Sequence, residues 1–175
     1  MIKKTPNSIF TIGHSTHPIE EFIEILQAFH IEMVVDIRRF PGSRKFPQFD
    51  KEYLEMILAE NLIGYYYMKE LGGRRKVNKN SHNVNWRNDS FRAYADYMET
   101  EAFEKGILKL EDIAKLNRVA YMCSEAVWWR CHRSMVSDCL KARAWQVFHI
   151  MSKNKLQEHP YTAAARVEND KVFYY

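Results

Sequence analysis

The sequence has few cysteines and no long apolar run. Its three cysteines, Cys123, Cys131 and Cys139, form an odd set without a CxxC motif, which argues against the disulfide framework of a secreted protein. No segment approaches the roughly 18 apolar residues of a membrane span. The first eight residues contain no stretch apolar enough for a signal peptide. We therefore expect a cytoplasmic protein with reduced thiols and no membrane association.

The sequence also lacks a strong charge excess. Its 26 lysines and arginines and 22 aspartates and glutamates leave a net charge of +4, which mildly favours anionic partners such as nucleotides or nucleic acid. With 175 residues, of which 46% are hydrophobic, the chain can bury a core without disulfides or metals. We expect a single domain over residues 1–175.

The apolar pattern predicts alternating strands and helices. The predicted strands are residues 8–13, 33–37, 63–68, 119–123 and 146–150. The predicted helices are residues 19–29, a segment capped by Asp50, residues 91–116 with a break near Thr100, and residues 134–143. Because the strands are almost continuously apolar, we predict an α/β three-layer sandwich. It has a mainly parallel sheet of about five strands, with helices on both faces.

Unusual polar residues follow the predicted strands. In parallel sheets, ligands bind beyond the carboxyl ends of the strands, because the loops converge there. Five separate segments should therefore meet at one edge of the sheet: Gly13-His14-Ser15, Asp36 with Arg38, Leu71-Gly72-Gly73-Arg74, Cys123 with Glu125, and His149.

These segments resemble a known family, the domain of unknown function 488, from Thr11 to about Arg166. The matching pieces are Thr11 to Ser15, Val35 to Arg38 with Pro41 and Ser43-Arg44, Leu71 to Arg75, Tyr94 to Met98, Met122 to Ala126, Trp129 to Ser134, and His149-Ile150. The resemblance implies a three-layer α/β fold and supplies no activity, although some relatives carry DNA-repair labels. Many relatives have alanine in place of Ser124 and a charged, proline-containing segment in place of residues 126–129, so substrate choice could differ here.

The segment Cys131-His132-Arg133 precedes a predicted helix. Free backbone N–H groups and the helix dipole favour anions there and lower the pKa of a thiol. One interpretation is an anion site in which Arg130 and Arg133 donate hydrogen bonds and Cys131 or Cys123 is the nucleophile. The alternative is that both cysteines simply pack. Six residues separate Cys123 from Arg130, whereas phosphatase-type loops have five, which argues against phosphate-ester hydrolysis.

Two further interpretations concern metals and proton transfer. Thiolate and imidazole suit zinc or iron, and the candidate ligands are Cys123, Glu125, Cys131 and His132, with His14 nearby. No spacing matches a zinc signature, so we assign no metal ligand and leave the cofactor unknown. Glu125 beside His14 could act as a general base. Structural ion pairs of Asp36 with Arg38, and of Glu125 with Arg133 or Arg74, are the alternative.

Two basic loops, residues 38–45 and 74–76, lie near the aromatic residues 65–67 and 128–129. This composition is typical of a nucleotide or single-strand surface, or of a solvated rim over core aromatics. We predict a protein that binds an anionic, phosphate-bearing ligand and that could also catalyse a reaction of this ligand. A nucleic-acid-binding module with structural cysteines is the alternative. The candidate catalytic residues are Cys131, Cys123, Glu125 and His14. The candidate ligand-binding residues are Ser15, Asp36, Arg38, Ser43, Arg44, Gly72, Gly73, Arg74, Arg130, His132, Arg133 and His149.

Overall fold

A mixed six-stranded sheet forms the centre of the fold. A computed structural model describes residues 7–42 and 44–175, so the expectations about Ser43 and the first six residues lie outside the described residues. The strands are β1 Ser8–Gly13, β2 Met33–Asp36, β3 Gly64–Tyr67, β4 Val119–Cys123, β5 Gln146–Ser152 and β6 Lys155–Glu158. Their order is β3-β2-β4-β1-β5-β6. Strands β1 to β5 pair in parallel, and β6 pairs antiparallel with β5.

Five α-helices of the described residues pack on this sheet. They are α1 Ile19–Ala28, α2 Lys51–Glu60, α3 Asp89–Met98, α4 Glu101–Leu116 and α5 Arg133–Ala142. The predicted break near Thr100 separates α3 from α4, because the Thr100 side chain accepts a hydrogen bond from the Phe103 backbone N–H and caps a new helix. Helix α2 follows Asp50 at the predicted N-cap position, although the Asp50 side chain does not accept a capping hydrogen bond.

The buried side chains of the strands alternate between two hydrophobic clusters. Ile9, Val35 and Tyr121 belong to a cluster that includes residues of α3, α4 and α5. Their neighbours Phe10, Val34 and Ala120 belong to a second cluster that includes residues of α1 and α2. Both sides of the inner strands β1, β2 and β4 are therefore buried, which explains their nearly continuous apolar runs. The prediction of an α/β sandwich with a mainly parallel sheet is confirmed.

The connections that leave the adjacent strands β1 and β4 run over opposite faces of the sheet. Strand β1 leads through α1 to β2, whereas β4 leads through α5 to β5 on the other side of β1. A crevice opens at the carboxyl ends of two strands whose connections diverge in this way. The fold therefore places the segments after Gly13 and Cys123 at the position where α/β sheets bind ligands.

The end of the chain forms strands that the sequence did not predict. Strand β6 extends the sheet, β5 continues to Ser152, and β7 Arg166–Glu168 pairs with β8 Lys171–Phe173 in a separate hairpin. In the described part of the chain, no helix has the length and apolar character needed to cross a membrane.

Candidate functional site

A pocket of about 720 Å³ opens beyond the ends of β1 and β4. This volume lies in the usual range of small-molecule sites. The pocket brings together ten of the residues predicted from the sequence: His14, Ser15, Arg38, Gly73, Arg74, Cys123, Glu125, Arg130, Cys131 and His132. Four of the five predicted segments therefore contribute to one site.

The two loops at the base of the pocket approach each other very closely. The backbone N–H groups of His14 and Ser15 donate to the carbonyl oxygens of Cys123 and Ser124, each at 2.9 Å. A Cβ atom on Gly13 would lie 1.7 Å from the carbonyl oxygen of Glu125. Only glycine permits this approach, which explains the glycine at the end of β1.

Two cysteines and a histidine cluster on the floor of the pocket. The Sγ atoms of Cys123 and Cys131 lie 4.0 and 3.7 Å from Nδ1 of His132, and all three atoms lie within 4.8 Å of one another. Cys123 is the last residue of β4, and His132 is the N-cap residue of α5. The cluster therefore forms where strand β4 ends and helix α5 begins.

The two thiols of this cluster differ in acidity. Burial raises the pKa of Cys131, but hydrogen bonding from Cys123 and the charge and N–H group of Arg133 outweigh it and lower this pKa to about 6. The hydrogen bond to Cys131, together with burial, raises the pKa of Cys123 to about 12. The backbone N–H of Arg133 donates to Cys131 Sγ at 3.5 Å. Cys131 is therefore the more acidic thiol of a coupled pair.

The ring of His132 is held in one orientation. Its Nε2 lies 3.2 Å from the carbonyl oxygen of Ile37, and because a carbonyl only accepts, Nε2 carries a proton while Nδ1 faces the sulfur atoms. The Tyr94 ring packs at 5.1 Å between centroids. A Cβ on Gly73 would lie 2.9 Å from Nδ1 and 3.2 Å from Cγ of His132, so the glycine leaves room for the ring.

His14, Arg38 and Asp36 form a buried support beside this cluster. Arg38 donates to both carboxylate oxygens of Asp36, with the shortest contact at 2.6 Å, and Tyr65 donates to the same carboxylate at 2.6 Å. The predicted ion pair of Asp36 with Arg38 is therefore present. Asp36 lies beneath the pocket and does not line it.

His14 is neutral in this support. Burial and the Arg38 guanidinium lower its pKa to about 4. Its Nδ1 is 3.0 Å from the carbonyl oxygen of Ser15, and its Nε2 accepts from Arg38 Nη1 at 3.4 Å. The ring also stacks on Phe49 at 4.1 Å. Both nitrogens are engaged, so the geometry favours a positioning role over general-base chemistry.

Arg133 points away from the pocket. It is 1% exposed, and its guanidinium donates to the Thr11 hydroxyl and to the Glu125 backbone carbonyl oxygen, both at 2.7 Å. The expected pairing of Arg133 with the Glu125 carboxylate is wrong, because the contact is with the backbone. Arg133 therefore anchors the loop that carries Glu125 and contributes its charge to Cys131 from behind.

His149 also lies outside the pocket. It pairs in register with Thr11 inside the sheet, hydrogen-bonds to Thr11 and His159, and stacks on Trp128 at 4.4 Å. Burial, with the charges of His159 and Arg133, holds the pKa of His149 well below its usual value. It is a buried neutral residue behind the site.

The remaining predicted residues lie elsewhere. Gly72 packs against the backbone of Arg39 and does not line the pocket. Arg44 lines a second depression with Pro47 and Asp50. Ser43 is outside the described residues.

Several pocket residues were not among the predicted site residues. They are Thr16, Arg39, Phe40, Gly42, Lys45, Phe46, Ser90, Phe91, Tyr94, Ser124 and Ala126. The first basic loop already included Arg39 and Lys45, and Tyr94 lay in a family-like segment. Phe91 is the first residue of the helical pattern predicted over residues 91–116, and nothing in the sequence indicates that it lines a pocket.

A comparison with protein-family models matches residues 18–140 to the family described as "Domain of unknown function DUF488". The chain belongs to the DUF488 family. A search of curated proteins and a search of solved structures found no match.

The DUF488 match covers part of the site. It includes Cys123, Cys131 and His132 and the basic loops, whereas His14 precedes it and His149 follows it. Membership of DUF488 identifies no activity, so the function must be argued from the pocket itself.

Proposed function

We propose that this DUF488 protein binds an anionic ligand that carries a phosphate group and a planar ring, as nucleotides do. The observation that carries the proposal is the charge of the pocket lining. Among the described residues it contains Arg38, Arg39, Lys45, Arg74 and Arg130 but only one acidic residue, Glu125. Such a concentration of one sign attracts an oppositely charged ligand.

Four of these cations are available to a ligand. Arg38 is neutralised by Asp36. Within residues 7–42 and 44–175, Arg39, Lys45, Arg74 and Arg130 form no ion pair, and all four are exposed. Arginine donates paired hydrogen bonds to phosphate oxygens, so Arg74 and Arg130 are the proposed phosphate ligands.

Aromatic side chains support the planar part of the ligand. Phe40, Phe46, Phe91 and Tyr94 line the pocket, and Phe40 is 65% exposed, with the Arg74 guanidinium 6.0 Å from its ring. Exposed aromatic rings beside arginines are typical of surfaces that stack bases.

The shape of the site favours a small ligand over a polynucleotide. The volume of about 720 Å³ suits one drug-sized molecule. A polynucleotide needs a groove that follows its backbone over several nucleotides. The free thiols support our expectation that the protein works in a reducing cytoplasm.

Thermal unfolding of metal-free protein tests the proposal. We expect adenosine monophosphate and inorganic phosphate to raise the unfolding temperature, and adenosine to have little effect, because the cations bind the phosphate group. A ligand at about 100 times its Kd adds about 2.7 kcal/mol to the free energy of unfolding. The double variant Arg74→Gln/Arg130→Gln should lose this stabilisation, and Lys155→Gln, an exposed charge change on β6, should keep it.

Two results would contradict the proposal. One is the absence of stabilisation by every phosphate compound tested. The other is stabilisation by single-stranded oligonucleotides alone, with an affinity that falls steeply as salt increases, which would support the nucleic-acid-binding alternative.

A further inference from the structure

The geometry points to a metal site in the floor of the pocket, in which Cys123, Cys131 and His132 bind a zinc ion. The three donor atoms, Sγ, Sγ and Nδ1, come from the end of β4 and the start of α5 and lie within 4.8 Å of one another. No spacing in the sequence indicated this site, because the donors follow none of the repeated short-spaced pairs of zinc motifs.

The donor separations suit a tetrahedral zinc ion. Zinc binds thiolate sulfur at about 2.3 Å and imidazole nitrogen at about 2.0 Å, so tetrahedral angles require a sulfur-to-nitrogen separation of about 3.6 Å. The two separations here are 3.7 and 4.0 Å. The two sulfur-to-nitrogen pairs need to close by only a few tenths of an ångström, whereas the two sulfurs, which lie within 4.8 Å of each other, need to reach about 3.8 Å.

The surroundings of the donors are those of a metal site. His132 donates its Nε2 proton to the Ile37 carbonyl, which leaves the Nδ1 lone pair directed at the sulfurs, the usual outer contact of a metal-binding histidine. The Arg133 backbone N–H donates to Cys131 Sγ at 3.5 Å. The first contact selects the tautomer with its proton on Nε2, and the second favours a thiolate at Cys131.

The same donors identify the class of metal. Sulfur and imidazole favour zinc and similar borderline metals over magnesium or calcium, which take oxygen ligands. Glu125 and His14, the other ligands considered from the sequence, are not part of this cluster.

The site has a fourth coordination position that faces the pocket. Three protein ligands leave tetrahedral zinc one position for water or a ligand atom, and Cys123, Cys131 and His132 all line the pocket. An oxygen atom of an anionic ligand held by Arg74 and Arg130 could occupy this position. The metal site does not depend on the proposed anion binding and can be tested without it.

Metal analysis of the full chain is the first test. The protein is purified in reductant, stripped with chelator, loaded with zinc chloride and freed of excess metal. We expect one zinc ion per chain, and a loss of affinity of at least about 100-fold in Cys123→Ser and Cys131→Ser, since even outer-contact changes cost 10–100-fold. Cys139→Ser is the matched control, because Cys139 is a free cysteine outside the cluster.

Cobalt substitution covers the case in which a serine variant fails to fold. Wild-type protein loaded with cobalt chloride should show a sulfur-to-cobalt charge-transfer band and the intense visible bands of tetrahedral coordination. Octahedral cobalt without the charge-transfer band would overturn the inference. Equal zinc content in wild type and in a folded Cys123→Ser/Cys131→Ser variant would do the same.

The proposed anion binding and the proposed metal site can be contradicted independently of each other. Arg74→Gln/Arg130→Gln should bind zinc as wild type does, even though it loses phosphate binding. Zinc binding without any phosphate binding would overturn the proposed function alone, and phosphate binding by a wild-type protein that takes up no zinc would overturn the metal site alone.

Discussion

Arg133 donates a hydrogen bond from Nη1 to the Thr11 hydroxyl at 2.7 Å, which joins α5 to the central strand β1. The Thr11 hydroxyl also contacts Nδ1 of His149 at 3.2 Å. His149 Nε2 then meets His159 Nδ1 at 2.9 Å, and His159 Nε2 meets Asp138 at 2.9 Å. A buried chain of hydrogen bonds thus runs from the arginine behind the cysteine cluster to an aspartate inside α5.

The two ends of this chain determine the direction of its outer hydrogen bonds. Asp138 accepts from Thr162 and Tyr174 as well as from His159, so His159 carries a proton on Nε2. At the other end, the Arg133 guanidinium donates to the Thr11 hydroxyl. His149 lies between these ends and joins Nδ1 of His159 to the Thr11 hydroxyl. Both ring nitrogens of His149 and of His159 therefore have partners in a buried place.

Thr11→Val should destabilise the fold. Valine keeps the branched shape, but it leaves one Arg133 N–H and the Nδ1 atom of His149 without partners in a fully buried place. Because an unsatisfied buried polar group costs about 1–3 kcal/mol, we expect a loss of at least about 2 kcal/mol in urea unfolding.

Thr16→Val is the control for this substitution. Thr16 is exposed, and a surface change of this kind usually alters stability by less than about 0.5 kcal/mol. Equal losses in the two variants would show that the buried chain does not contribute as described.

Strands β4 and β5 show what the sequence pattern predicts and what it misses. Strand β4 was predicted with its observed bounds, and the residues that follow it reach the pocket. Strand β5 was predicted over residues 146–150 with His149 near its end, but the strand continues to Ser152 and His149 pairs with Thr11 within the sheet. The added residues of β5 pair with β6, a mostly exposed hairpin strand that apolar periodicity does not indicate.

The hydrogen-bonded chain itself had no local signal. Its members come from β1, α5, β5 and the segment after β6, and each is an ordinary polar residue in its own stretch of sequence. Asp138 in α5 is fully buried, although an acidic residue in a helix is more often on the solvent face. The hydrogen-bond partners that offset the free-energy cost of burying Asp138 come together only in the folded protein.

The neutral state of His14 predicts a loss of stability in acid. Its pKa falls from 6.5 in the unfolded chain to about 4 in the fold. Below about pH 6.5 the unfolded state therefore takes up a proton that the folded state does not, and stability decreases until about pH 4. From this group alone we expect a loss of about 2 kcal/mol between pH 7 and pH 5.

His14→Phe tests this prediction by urea unfolding at both pH values. Phenylalanine retains the stacking on Phe49 and cannot be protonated, so the stability of the variant should decrease less from pH 7 to pH 5. His30→Asn, at an exposed position with a positive φ of 53° that asparagine tolerates, should keep the wild-type pH dependence. The same pH dependence in His14→Phe and wild type would contradict the assignment.

Cys131 should react with iodoacetamide at unusually low pH in metal-free protein. Because its pKa is lowered to about 6, the thiolate persists well below the ordinary thiol pKa of about 8.5, and the alkylation rate should fall with a midpoint near pH 6. Burial raises the pKa of Cys139 to about 12, so that thiol should react slowly throughout.

Substitution of single cysteines shows which thiol is alkylated in the fast phase. Cys131→Ser should abolish the fast phase, and Cys139→Ser should retain it. A midpoint near pH 8.5, or a fast phase that survives in Cys131→Ser, would contradict the thiolate assignment. Added zinc should protect the thiol, because the metal would occupy the sulfur lone pairs.

Gly73→Ala should disturb His132 with little change in the rest of the fold. The added Cβ would lie 2.9 Å from Nδ1 of His132, and the ring cannot shift freely because the Ile37 carbonyl and Tyr94 hold its other sides. Overpacking of this kind costs about 1–3 kcal/mol. We therefore expect a folded variant whose zinc affinity falls about 10–100-fold, the range for changes that reorient a metal-binding histidine.

Gly42→Ala separates this effect from a general cost of replacing glycine in a pocket loop. Gly42 also lines the pocket, but the nearest atom to its added Cβ is 4.0 Å away, which is ordinary contact. Zinc titration and urea unfolding of both variants should show weaker zinc binding in Gly73→Ala only. The added Cβ at Gly73 should displace the His132 ring. If the two variants nevertheless bind zinc equally well, the position of this ring does not control the metal site.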